Sequence, residues 1–127
     1  MTGDSRVVGV IEDDASVRGA LRRLFRSAGF EVSLFATAEE YLADPRRGEI
    51  DCLVTDVRLP GISGVELLEH VRAAGADPVM AVVVTAHDDE LVRRRAMAAG
   101  AAGYFLKPFD NCQLQAAVSQ ALGLTKS

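Results

Sequence analysis

Five short runs rich in β-branched and apolar residues, at 7–11, 31–35, 52–55, 80–85 and 103–106, alternate with stretches of helical periodicity. No other feature constrains the fold as strongly. The first, third and fourth runs are nearly continuously apolar, as strands covered on both faces must be. A strand, a helix and a further parallel strand connect with a right-handed crossover, so repeating the unit places helices on both faces of one sheet. The expected fold is α/β: a (βα)5 doubly wound, five-stranded parallel sheet in the flavodoxin-like order 2-1-3-4-5. The 127 residues favour one domain, and a chain of that size buries a core without a disulfide or structural metal. The domain is expected over 1–123, with 124–127 as a tail or truncated linker.

The helical stretches carry start and stop signals. Val17, Ala20, Leu21, Leu24 and Phe25 mark one apolar face, with Arg18, Arg22, Arg23 and Arg26 on the other side and Gly29 as a stop. Thr37 with Glu40 predicts a capping box for a second helix ending near Asp44-Pro45. Ser63 with Glu66 predicts another for a third helix running to Ala74-Gly75. Asp88 or Asp89 opens a fourth helix that stops at Gly100, and Asp110 with Gln113 a fifth that stops at Gly123.

Composition excludes several classes. Hydrophobic residues make up 49% and charged residues 25%, which is neither a disordered tail nor a disulfide scaffold. A net charge of -4 lacks the basic footprint of a nucleic-acid binder, so no direct nucleic-acid contact is expected. No apolar run approaches the roughly 18 residues of a membrane span. The start, 1–6, is polar and lacks a signal-peptide pattern. Cys52 and Cys112 lie far apart without metal-type spacing, as free thiols in a reducing cytoplasm would. Cytoplasmic location is the expectation.

In this topology ligands gather at the carboxyl ends of the strands. The first strand ends in Glu12-Asp13-Asp14, the third in Asp56, the fourth in Thr85-Ala86 and the fifth in Lys107-Pro108. Crowded carboxylates repel unless a cation joins them. An all-oxygen donor set suits Mg²⁺, or the similarly hard Mn²⁺, with room left for a phosphate. Lys107 is suited to pairing with a carboxylate or a phosphoryl oxygen, and Thr85 can donate to the same oxygens. Such a carboxylate is a phosphoryl acceptor in waiting. Each residue alone has a plainer reading: Asp14 as a helix cap, Asp56 as a turn residue, Tyr104 and Phe109 as packing aromatics, Arg93-Arg94-Arg95 as a solvated helix face.

Four segments together carry a resemblance: Val10-Ile11-Glu12-Asp13-Asp14, the stretch Val54-Thr55-Asp56-Val57-Arg58-Leu59-Pro60-Gly61-Ile62-Ser63-Gly64, then Val83-Val84-Thr85-Ala86, and Ala99-Gly100-Ala101-Ala102-Gly103-Tyr104-Phe105-Leu106-Lys107-Pro108-Phe109. In this order and spacing they resemble the CheY-like receiver domain of bacterial two-component response regulators over nearly the whole chain. The Asp-Val-Arg-Leu-Pro and Thr-Ala-His segments are most similar to the FixJ-like branch. The resemblance implies Asp56 as phosphoacceptor for a sensor histidine kinase. It implies Mg²⁺ on Asp13, Asp56 and the backbone carbonyl of Arg58, with Glu12 as an outer acidic ligand where the family often has Asp. Lys107 becomes the phosphate-binding lysine, in a cis peptide with Pro108. Thr85 and Tyr104 become the switch pair, Tyr104 turning inward from an exposed position. Arg58 and His87 flank the phosphoryl group and set its lifetime. The output face is that of the fourth helix, fifth strand and fifth helix, with a phosphorylation-dependent homodimer or an output partner. Enzymatic capacity is limited to the chain's own phosphorylation and dephosphorylation.

The output stays open between transcription control through an effector domain beyond residue 127 and a stand-alone receiver in a phosphorelay. A haloacid dehalogenase-like phosphatase would carry a second acid where Arg58 stands. A flavin carrier would need a neutral phosphate loop where Glu12-Asp13-Asp14 stand. A degenerate receiver would lack one of the acids or the lysine, and all are here.

Overall fold

The apolar runs pair into one parallel sheet, ordered β2-β1-β3-β4-β5, in a computed structural model that describes residues 6–75 and 79–124. The strands are β1 (Val7–Ile11), β2 (Glu31–Phe35), β3 (Cys52–Asp56), β4 (Met80–Thr85) and β5 (Gly103–Leu106). Between and after them run α1 (Ala15–Ser27), α2 (Ala38–Ala43), α3 (Gly64–Ala73), α4 (Glu90–Ala98) and α5 (Asn111–Ala121). This is the predicted order and topology. The expected tail at 124–127 lies outside the described residues except for Leu124, as does the polar start at 1–5. Among the described residues no helix is long and apolar enough to cross a membrane.

Burial follows position in the sheet. Central β3 is buried at every residue, whereas edge strands β2 and β5 are largely half-exposed. That difference explains why the second run, which carries Glu31 and Ser33, is less apolar in sequence. Alternate side chains feed two cores. Ile11, Leu53 and Val83 pack on one face with Leu67, Leu68 and Ala96, from α3 and α4. Val8, Val10, Cys52, Val54 and Val84 pack on the other with Leu21, Phe25, Leu114 and Val118, from α1 and α5. Phe109 packs half-buried against that second core.

The caps realise most of the local signals. Asp14 Oδ1 accepts from the N–H groups of Ser16 and Val17, and Asp110 Oδ1 from Gln113. Ser63 and Glu66 form the full reciprocal box, and Asp89, not Asp88, caps α4. The box expected at Thr37 is made only on one side. Thr37 Oγ1 accepts from Glu40 N–H, but the Glu40 carboxylate reaches back to Ala36 N–H, one residue before the cap. A short 3₁₀ turn at Arg47–Glu49 has no periodic signature and is not predicted by the sequence.

The two cysteines differ sharply. Cys52 is fully buried, and burial, with the Asp51 charge nearby, pushes its thiol up to about 12. Cys112 is exposed on α5. A thiolate is the reacting species, so one thiol per chain should titrate with a disulfide reagent in native buffer and two in denaturant. Two fast thiols in the native protein would contradict this packing.

Candidate phosphoryl-transfer site

The register levels the carboxyl ends of the strands. Ile11 lies opposite Phe35 and Thr55, Asp56 opposite Val84, and Thr85 opposite Leu106. Glu12, Asp56, Thr85 and Lys107 therefore come to one edge of the sheet. Lys107 joins them: its Nζ donates to Glu12 Oε1 at 2.7 Å and to Asp56 Oδ2 at 2.6 Å. The second Asp56 oxygen accepts from Arg58 N–H at 3.0 Å, and the second Glu12 oxygen from Asp14 N–H at 3.2 Å. The Lys107–Pro108 peptide is cis, as the resemblance implies.

Electrostatics follow from burial. Glu12 is 1% exposed. Desolvation raises its pKa above the usual carboxylate value, and hydrogen bonds from Lys107 and Asp14 N–H recover only part of that shift. Burial alone would lower Lys107, but its bonds to Asp56 and Glu12 outweigh it, so the ammonium is held above its ordinary value. The lysine is thus a fixed cation between two acids. Glu12, exposed Asp13 and buried Asp56 each present an oxygen within 4.8 Å of the others. Three convergent hard oxygen donors with no nitrogen or sulfur fit a Mg²⁺-type ion.

The remaining predicted residues are arranged around this centre. Thr85 is buried, and its Oγ1 accepts from His87 N–H at 3.2 Å. The side chains of His87 and Arg58 are exposed. Tyr104 differs from expectation. It is half-buried, and its hydroxyl is enclosed without a hydrogen-bond partner. The Asp89 N–H lies near but outside bonding geometry, and burial, with Asp88 and Asp89 close by, raises the phenol pKa. The ring tip thus lies beside the residues that lead into α4. The arginine run also departs from a purely solvated face. Arg94 pairs with Glu90 on its own helix, and Arg95 makes a two-point contact with Glu69 of α3, at 2.6 and 3.1 Å.

Two contributors escape sequence reasoning. Arg18, on the polar side of α1, turns back and donates to the Glu12 carbonyl at 2.7 Å. Glu39 of α2 accepts from Ile62 N–H at 2.9 Å, holding the β3–α3 loop. Neither is signalled by spacing, because each contact joins a side chain to backbone in another element. An apolar groove beside Lys107, of about 550 Å³, runs between Val17, Ala20 and Leu21 of α1 and Pro108 and Phe109.

Comparison with known proteins fixes the family. The family model of the response regulator receiver domain matches residues 8–119. The chain is a response regulator receiver domain. It is 42% identical over 120 residues to the transcriptional regulatory protein FixJ of Azorhizobium caulinodans, covering 94% of this chain and 56% of that protein. The response regulator protein TodT of Pseudomonas putida is 33% identical over 124 residues, with 98% and 54% covered. Among solved structures the receiver resembles the response regulator StyR at 46% identity and a TM-score of 0.84, covering 94% of this chain and 60% of that one. It resembles FixJ-N at 30% identity and a TM-score of 0.83, covering 98% of each. The receiver thus spans about half the length of the curated relatives it matches.

Proposed function

We propose that the receiver accepts a phosphoryl group on Asp56 from a phosphohistidine of a sensor histidine kinase in the cytoplasm. The observation that carries this reading is Lys107 Nζ held between Glu12 and Asp56 at the sheet edge. In the transfer an Asp56 oxygen forms the new bond to phosphorus as the bond to the histidine nitrogen breaks, and the imidazole departs with the electron pair. Lys107 is placed to follow a phosphoryl oxygen, exchanging one carboxylate partner for another anion. Glu12, Asp13, Asp56 and the Arg58 carbonyl would hold Mg²⁺ (or Mn²⁺). When bound, that ion neutralises the clustered acids and the incoming phosphoryl charge. The chain's own catalysis extends only to gaining and losing this group.

Thr85 would turn its hydroxyl to the phosphoryl group, releasing the contact with His87 N–H, and Tyr104 would repack beneath α4. Arg58 and His87, exposed beside the site, would govern water access and hence the lifetime of the acyl phosphate. The face of α4, β5 and α5 would then carry the output, as a homodimer or through another protein. Arg93 makes no ion pair among the described residues and is available for such a contact. Transcription control through an effector domain is the favoured output, on the similarity to FixJ and TodT. A stand-alone phosphorelay role is the alternative. Contact with membrane or nucleic acid is not assigned to this domain, which we place at 1–123.

Labelling tests the reading. Acetyl phosphate with Mg²⁺ should add one hydroxylamine-labile phosphoryl group, and Asp56→Asn should abolish it. Labelling of that variant at the wild-type rate would overturn the assignment.

A further inference from the structure

The turn that carries the acids is held at nearly every point but one. Glu12 N–H donates to Phe35 O at 3.0 Å, tying the start of the turn to β2. Glu12 Oε2 accepts from Asp14 N–H, and Asp14 Oδ1 fixes the first turn of α1. Between these anchors Asp13 is exposed, and its carboxylate makes no hydrogen bond among the described residues. The peptide leading into Asp13 begins at the Glu12 carbonyl. That carbonyl is the acceptor of Arg18 Nη1 at 2.7 Å. Arg18 is half-buried, whereas Arg22, Arg23 and Arg26 on the same helix are exposed.

We infer that Arg18 is a positioning residue that orients the Glu12–Asp13 peptide, and through it the Asp13 carboxylate, for a divalent cation. This rests on the metal reading given above. Groups that orient ligands from behind typically change metal affinity by about 10–100-fold when removed. Arg18 has a second effect of opposite sign. Its positive charge, close to the acids, repels an incoming cation. Loss of charge alone would tighten binding, and loss of the strut would weaken it. The direction of the change therefore separates positioning from simple electrostatics.

The experiment is calorimetric titration of the metal-free domain with Mg²⁺, for wild type, Asp13→Asn, Arg18→Met and Arg18→Lys. Wild type should bind and Asp13→Asn should not. The Kd of Arg18→Met should rise by about tenfold. Arg18→Lys, which keeps a charged donor, should recover part of that loss. The Mg²⁺ concentration for half-maximal labelling by acetyl phosphate should rise in step, while the rate at saturating Mg²⁺ stays within about twofold of wild type, as loss of affinity alone requires. A merely structural role would lower that saturated rate too. If Arg18→Met melts far below wild type without metal, Arg18→Gln carries the same comparison. Wild-type or tighter Mg²⁺ binding by the neutral variant overturns the inference and leaves the metal site standing. Failure of wild type to bind Mg²⁺ overturns both.

Discussion

Gly64→Ala should destabilise the receiver by about 1–3 kcal/mol, the range for forcing a methyl group into packed space. A Cβ at Gly64 would fall against the Asp56 carbonyl oxygen, closer than real Cβ atoms sit, and 3.0 Å from both the Asp56 carbonyl carbon and Thr55 Oγ1. Two of those neighbours are backbone, so no side chain can swing aside. Either α3 shifts off the end of β3, losing the 2.9 Å bond from Gly64 N–H to Val57 O, or the Asp56 peptide turns. Both outcomes move Asp56, the proposed acceptor, so labelling should slow along with the fall in melting temperature. Gly19→Ala is the natural control. Its Cβ would meet only the Arg23 guanidinium at 3.6 Å, an ordinary contact. Mid-helix alanine should therefore stabilise by roughly 0.5–1 kcal/mol. Thermal melts of the two variants should move in opposite directions. A Gly64→Ala melt at or above wild type would show that the α3–β3 junction is looser than described.

Lys107→Met should be at least as damaging, for an electrostatic reason. It strands Glu12, 1% exposed, and Asp56 side by side without their shared cation. Breaking a buried pair by removing one partner costs about 3–5 kcal/mol. The lower end applies here, because the Lys107 side chain keeps 19% exposure. The loss should depend on pH. In the folded state burial already raises Glu12 above its ordinary carboxylate value. A raised folded pKa means that its contribution to stability is fully present below the unfolded value and fades as pH rises through the folded value. Without the lysine the folded value climbs further, so the deficit should grow from acid toward neutral pH. Glu12→Gln in the Lys107→Met background should return part of it, because Asp56 is then the one carboxylate of the pair left without its cation. Melts in chelator from mildly acidic to neutral pH test both points. A pH-independent deficit would place the damage in lost packing.

The backbone was more legible in sequence than the site. Strand bounds follow from apolar run length, and β3 differs only by taking in Asp56, whose pairing opposite Val84 continues the ladder one residue past the apolar run. Helix starts at Asp14, Ser63 and Asp110 could be read because a cap bonds within three residues of itself. The site residues could be listed because topology alone brings strand ends together. That Lys107 would pair with a carboxylate could be read too, but not which partners each residue takes. Glu12 turned onto Lys107, Arg18 folded back to a carbonyl, Arg95 reaching Glu69 and the enclosed Tyr104 hydroxyl all depend on rotamers chosen by packing between distant segments. No period or spacing encodes those choices.

The helix α4 has a thermodynamic character of its own. It contributes a single buried side chain, Ala96, while α3 contributes three, Val65, Leu67 and Leu68, and α1 and α5 two each. Leu91, at its start, is 71% exposed. With so little apolar surface to expose, the helix should open at a fraction of the free energy needed to unfold the sheet. In the proposed function, a chemical event at the strand ends would be read out by a helix that opens readily, leaving the sheet intact through each cycle of the signal.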